Sequence, residues 1–430
     1  MSEQVKEQAT AFSYQPIKGG GVSSAKGFRA SGMHAGFKKK AQSLDFALVL
    51  ADETCPCAAV FTKNSFCAAP VSVCREYLER SGGYARAIIL NAGNANASTG
   101  APGIETVHAV TAETAQLIGC APEEVLAAST GVIGVYILKE RFDENIEDLL
   151  ELADIEGGHS AALAIMTTDT IPKEHALSYL SADPDYAGIR FTLGGMAKGA
   201  GMIMPDMATL LVALTTDAPL SPELAQKALV AAVGKSFNKV TIDSDTSTND
   251  SCFLMASGKA LPARADDAAP SGFAEGSIAY GEFCAALEAL CVWLARQIAL
   301  DGEGATRLVT VNVNGAASEA DADLAARAVA NSPLVKTAIF GRDANWGRIA
   351  MALGKSGAAF RPENVSIDLL GIPVCRDGLA QAFDEVQAKR RFEAPEIVID
   401  VDLGAGSAAT TLWTCDLTHD YISINGDYRS

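Results

Sequence analysis

Short apolar runs of strand length alternate along this chain with longer stretches of helical spacing, and that alternation limits the fold more than any other feature. The runs lie at residues 46–50, 87–90, 308–313 and 397–401, with a fifth, Leu210-Leu211-Val212-Ala213-Leu214, near the middle. Those at 308–313 and 397–401 alternate partly, as half-buried strands do. Helical spacing covers 104–118, 146–152, 222–233, 283–299, 319–330 and 378–389. Strands mixed with helices throughout predict an α/β or α+β class. Residues 18–27, rich in glycine and serine, read as a flexible lead-in. Residues 262–276, with Asp266, Asp267, Pro270, Gly272 and Gly276, read as a surface loop. Neither is a long linker, so a compact molecule is expected.

Composition narrows the class. The 430 residues could fill two or three domain-sized units, and 49% hydrophobic with 20% charged residues fits a globular chain with a large core. The net charge is 34 − 52 = −18, with no basic stripe, which argues against a nucleic-acid partner. Ten cysteines are scattered, and Cys55-Pro56-Cys57, the one close pair, lacks a second pair to close a zinc site. They read as reduced thiols of a cytoplasmic protein. Residues 1–7 lack a basic start followed by an apolar stretch, so no secretory signal is read. No uninterrupted run approaches about 18 apolar residues, so no membrane span is expected.

Several familiar motifs fail on inspection. Gly234-Lys235-Ser236 and Gly354-Lys355-Ser356 resemble the end of a phosphate loop, but Leu229 and Ile349 stand where the earlier glycine belongs. No Gly-x-Ser-x-Gly elbow is present. The five histidines have no metal-ligand spacing and read as structural or solvated.

The segment Lys198-Gly199-Ala200-Gly201-Met202-Ile203-Met204-Pro205-Asp206-Met207-Ala208-Thr209 is different. Its glycines and proline suit a tight turn that poises a hydroxyl over the preceding carbonyl. Attack there would split the chain and leave Thr209 as a new N-terminus, with nucleophile and amine base on one residue. Other polar clusters have bland readings. Residues 128–134 could present backbone N–H groups or be an ordinary strand–helix turn, and 167–170 could be a helix end capped by hydroxyls. Residues 243–250 read as a hydrogen-bonded turn rather than a calcium loop, for want of its spacing. Residues 301–306 offer a carboxylate framed by glycines, 341–348 a turn stapled by arginine, and 425–430 a frayed tail. Composition and spacing leave these pieces unconnected.

Taken together, the clusters resemble the ornithine acetyltransferase family of arginine biosynthesis, the bifunctional glutamate N-acetyltransferases. The resemblance runs from Gly27-Phe28-Arg29-Ala30-Ser31-Gly32 to the final serine. It is carried by the segment 198–209 and by four further motifs: 91–96, 245–250, 301–306 and Gly341-Arg342-Asp343. The resemblance implies an α/β layered sandwich of the N-terminal-nucleophile type, shared with self-processing aminopeptidases. It implies self-cleavage between Ala208 and Thr209 into an α chain (1–208) and a β chain (209–430), typically assembled as α2β2.

The implied reaction moves an acetyl group from N2-acetylornithine to glutamate through an acetyl-Thr209 intermediate, with no cofactor and no metal. Some members also take acetyl-coenzyme A as donor. By resemblance, Thr209 supplies nucleophile and α-amine base, and Thr130 with the Gly131 N–H forms the oxyanion hole. Thr168, Lys198, Thr209, Glu303, Asn425 and Ser430 bind substrate. Lys198 suits the amino-acid carboxylate, Glu303 a cationic amine, and the tail folds back into the site. Two departures stand out: Asp206 where asparagine is common, and Ser244 where glycine is common. An N-terminal-nucleophile aminopeptidase or amide hydrolase, or an uncleaved binding protein, are the alternatives.

Overall fold

A computed structural model describes residues 13–39, 42–204, 210–261 and 272–427. Among them, nine strands form one sheet: β1 (Gln15–Pro16), β2 (Phe28–Met33), β3 (Phe46–Phe61), β4 (Tyr84–Asn94), β5 (Val125–Val132), β6 (Lys173–Leu180), β7 (Arg190–Lys198), β8 (Leu211–Thr216) and β9 (Ser251–Ala256). Their order is β1-β6-β7-β8-β9-β3-β4-β5, with β2 paired to β3. A second sheet contains β10 (Leu308–Ala316), β11 (Ser366–Leu369), β12 (Ile372–Arg376), β13 (Leu379–Ala380), β14 (Glu396–Asp402) and β15 (Ala408–Cys415), in the order β13-β12-β11-β14-β10-β15. The mixed α/β class read from the sequence is the class observed.

The unbroken run at 210–214 has a simple cause. β8 lies inside the sheet, antiparallel to β7 and parallel to β9. Leu211 and Ala213 face a core shared with β2–β4 and the helix Gly158–Ile165. Val212 and Leu214 face a second core, against the helices Pro222–Lys235 and Ile278–Leu300. A strand covered on both faces has no polar positions to alternate with. Each fully buried leucine there contributes about 1.5–3 kcal/mol.

β3 ties the sheet together. Its first part pairs with β2 and β4, its last five residues with β9, and the register shifts between Leu50 and Cys55. Cys55-Pro56-Cys57 lies just past that irregularity, where a proline is tolerated, and seven of the ten cysteines are buried.

Two expectations change, and a third is qualified. Residues 18–27 are not a loose lead-in: Val22 and Ala25 are buried, and Thr215 Oγ1 donates to the Val22 carbonyl at 2.6 Å. The helical spacing at 378–389 gives only the two-residue β13 and a helix at Glu385–Arg391. Gly378 takes φ +71°, and Asp384 caps the helix by accepting from the N–H groups of Val386 and Gln387. Finally, the helix Ile278–Leu300 is long and apolar enough to cross a membrane, with mean hydropathy 1.6 over its most apolar window. Glu282, Glu288 and Arg296 interrupt the run in sequence. Its buried face, including Phe283, Leu287, Leu290 and Leu294, packs into the second core.

Candidate active site

β4 and β5 run parallel and place Gly93 opposite Gly131. A Cβ on Gly131 (φ +132°) would lie 2.3 Å from the Gly93 carbonyl carbon, and one on Gly93 (φ +119°) would lie 2.4 Å from the Phe37 oxygen. Both positions combine a positive φ with backbone contact, which only glycine accommodates. Three backbones therefore stack: the 37–38 turn, Gly93 and Gly131. Asn249 closes the other side, its Nδ2 donating to the carbonyls of Ala95 (2.6 Å) and Ser129 (2.8 Å). The asparagine-rich motif at 91–96 is thus architectural, since Asn91 also accepts from the Ser129 hydroxyl at 2.6 Å.

Thr130, beside Gly131, is buried, and Lys198 Nζ donates to its Oγ1 at 3.4 Å. Because that oxygen accepts, the hydroxyl hydrogen stays free to point elsewhere. Lys198, at the end of β7, is only 2% exposed. Burial pulls its pKa down, and the Asp169 carboxylate opposes that pull.

Asp169 is the hub of this corner. It accepts from the Thr167 N–H at 2.9 Å, the Gly199 N–H at 2.8 Å and Lys173 Nζ at 2.6 Å. Lys173 Nζ also reaches Asp301 at 2.6 Å, and Asp301 accepts from the Thr170 N–H at 3.0 Å. Burial pushes the Asp169 carboxyl up, but Lys173 and Lys198 outweigh it and hold the group well below the usual carboxylate range. Residues 167–170 are therefore no hydroxyl cap: the helix ends at Ile165, and carboxylates organise the segment beyond it.

Glu303 approaches from the far side. Its N–H donates to the Ala200 carbonyl at 2.7 Å, and its Oε2 accepts from Asn425 Nδ2 at 2.7 Å. Asn425 belongs to the C-terminal helix His419–Gly426, so that part of the tail is ordered against the site. A Cβ on Gly201 would sit 2.3 Å from Glu303 Oε2. Gly201→Ala should therefore swing the Glu303 carboxylate aside with little loss of stability, because the atoms it meets are the end of a flexible side chain. Substrate KM should worsen while urea unfolding changes little; an unchanged KM would contradict the placement.

Ala208 and Thr209, with Asp206, lie outside the described residues, as does Ser430. Both flanks of that segment are held by carboxylates. Asp243 accepts from the N–H groups of Met202 (2.6 Å) and Ile203 (2.9 Å), with Met202 at φ +57°. Asp250, fully buried, accepts from the Leu210 N–H at 2.9 Å, and burial pushes its carboxyl well up. The acidic cluster at 243–250 is a backbone clamp, as a hydrogen-bonded turn would be. Ser244, where the resemblance implies glycine, does take a left-handed φ of +71°.

A cavity of about 1070 Å³ opens over this arrangement, lined in part by Lys38, Asn94, Gly131, Thr168, Asp169 and Ile424. Thr130, Gly131, Thr168, Lys198, Glu303 and Asn425 are thus brought to one region. The 341–348 cluster is not: Arg348 Nη1 donates to the Leu334 carbonyl at 2.7 Å, a local staple beside the second sheet. Sequence reasoning missed Lys173, which has no motif around it, and left Asp169 without a role; only the fold reveals the partners of either.

A model of the ArgJ family matches residues 29–430. The chain is 43% identical over 428 residues to the arginine biosynthesis bifunctional protein ArgJ of Thermosynechococcus vestitus, covering 96% of this chain and 98% of that one. It is 45% identical over 406 residues to the protein of the same name from Chlorobaculum tepidum, covering 94% and 96%. A crystal structure of the Bacillus halodurans arginine biosynthesis bifunctional protein is similar at 40% identity and a TM-score of 0.45, covering 49% of this chain and 96% of that one.

Proposed function

The chain belongs to the ArgJ family, and on that premise we propose that it moves the acetyl group of N2-acetylornithine to glutamate through an ester on Thr209. Acetyl transfer in arginine biosynthesis is its activity. The observation that carries the finer reading is the convergence of Thr130, Gly131, Lys198 and Glu303 beside a segment clamped at Ile203 and Leu210.

Maturation comes first in this reading. The Thr209 hydroxyl attacks the Ala208 carbonyl carbon, the C–N bond breaks, and the departing nitrogen takes the proton. Water then hydrolyses the ester, freeing the hydroxyl and leaving Ala208 as a carboxylate. The new α-amine has an ordinary pKa of about 7.7–8.0, so it serves as a base near neutral pH. In the transfer reaction that amine takes the hydroxyl proton as Oγ attacks the acetyl carbonyl. The Thr130 hydroxyl and the Gly131 N–H hold the oxyanion, where losing one donor typically costs about 2.7–4 kcal/mol. Collapse breaks the acetyl C–N bond, the proton passes to the leaving nitrogen, and ornithine departs. The glutamate amine then attacks the acetyl ester and restores Thr209.

Lys198 suits the substrate α-carboxylate and Glu303, steadied by Asn425, a substrate amine; Thr168 and Ser430 complete the pocket. The α and β chains stay associated, because β8 and β9 lie between β7 and β3, and they pair further as α2β2 in the cytoplasm. Acetyl-coenzyme A would enter the same scheme as a second donor.

Purified protein given N2-acetylornithine should turn over repeatedly, forming N-acetylglutamate and ornithine in equal amounts, only when glutamate is present. Without glutamate, the β chain should gain one acetyl group by mass. Rapid release of acetate at a rate indifferent to glutamate would make the enzyme a hydrolase instead.

A further inference from the structure

One pocket that serves both substrates in turn meets opposite charges at the far end of the side chain: an ammonium on ornithine and a carboxylate on glutamate. We infer that Lys38 receives the side-chain carboxylate of glutamate and so determines the choice of acceptor. The inference rests on the reading of this site as an acetyl-transfer centre.

The placement is geometric. Lys38 lines the cavity together with Gly131 and Thr168. Its backbone nitrogen lies 3.0 Å from where a Cβ on Gly93 would be, and Gly93 abuts Gly131 directly. Lys38 is therefore separated from the oxyanion glycine by a single backbone, that of Gly93.

The mount is rigid. The buried Asp45 carboxylate accepts from the Ala35 N–H at 2.6 Å and the Lys38 N–H at 2.8 Å. Lys38 Nζ donates to the Leu44 carbonyl at 2.5 Å, and Leu44 also lines the cavity. An ammonium has three donors, so two remain for a ligand.

Charge points the same way. Among the described residues Lys38 makes no ion pair. Asp45 acts on it most strongly of the nearby charges, followed by Asp169 and Lys198, so it stands near the substrate-binding corner. The two carboxylates that could neutralise it are engaged elsewhere: Asp45 accepts from the N–H groups of Ala35 and Lys38, and Asp169 is committed to Lys173, Gly199 and Thr167. Partial burial lowers the Lys38 pKa and strengthens attraction to an incoming carboxylate. The same cation repels the ornithine ammonium and turns it elsewhere, toward Glu303.

The two half-reactions separate this role from a structural one. Exchange of labelled ornithine into N2-acetylornithine involves no glutamate, whereas N-acetylglutamate synthesis does. Lys38→Met should raise the KM for glutamate by about 10- to 100-fold, the range for losing a charge-assisted hydrogen bond. Exchange should change far less, and Lys38→Arg should recover most of the glutamate affinity. As a second measurement, the unmodified enzyme should strongly prefer glutamate over glutamine as acceptor. An unchanged glutamate KM in Lys38→Met, an equal loss in both half-reactions, or equal use of glutamine by the unmodified enzyme would each overturn the assignment. Absence of exchange in the unmodified enzyme would instead defeat the acetyl-transfer reading.

Discussion

Thr209→Ala should leave one uncut chain near 44.7 kDa and no measurable acetyl transfer. A single hydroxyl serves both reactions in the proposed scheme: it attacks the Ala208 carbonyl once and the acetyl carbonyl in every turnover. Removing it takes away the nucleophile and also prevents the free α-amine from forming, so no partial mechanism remains. Loss of a nucleophile alone typically costs about 10⁴-fold or more. Thr209→Ser keeps an oxygen at the same position and should retain some cleavage and some transfer. Denaturing mass spectrometry reads the first outcome and N-acetylglutamate formation the second. Full transfer by the uncut Thr209→Ala chain would refute the shared nucleophile.

The other large effect should come from Lys173→Met. Lys173 sits between Asp169 and Asp301 with its ammonium wholly buried. Removing one member of a buried ionic cluster leaves its partners uncompensated, at a cost of about 3–5 kcal/mol. The loss should depend on pH in a definite direction. Asp169 has a folded pKa below its unfolded value, so its contribution is present above the ordinary carboxylate pKa of about 3.9 and fades as pH falls through the folded value. The gap between Lys173→Met and the unmodified protein should therefore be widest near neutrality and shrink in acid. Urea unfolding at both ends of that range measures it. A gap that stayed constant, or grew in acid, would show that the lysine does not hold the carboxylates. Activity should fall as well, since Asp169 bonds the residue after Lys198 and Asp301 lies two residues before Glu303.

The architecture was open to sequence reading wherever burial imposes a period. Helix 319–330 matches its apolar spacing residue for residue, and β8 is plain because both its faces are covered. The stretch at 378–389 misled because helical spacing says nothing of a left-handed glycine or of the carbonyl packed against it. The candidate site was open mainly through resemblance. Thr130 stands on β5, Lys198 on β7 and Glu303 in the turn after the helix Ile278–Leu300, and nothing local to any of them announces the other two. Lys173 and Asp243 show the limit most clearly: a buried cation and a backbone clamp are defined by partners 128 and about 40 residues away.

The position of β8 has one more consequence. β7 precedes the proposed cleavage point, β8 and β9 come after it, and β3 precedes it again, so the two products are woven through one sheet rather than laid side by side. Cutting such a molecule changes the order of its folding reaction. The intact chain finds its sheet by a unimolecular search, whereas the pieces, once unravelled and diluted, must meet before β8 can re-enter between its neighbours. Maturation would then work as a ratchet: cheap to perform on the folded molecule, and difficult to repeat from separated parts.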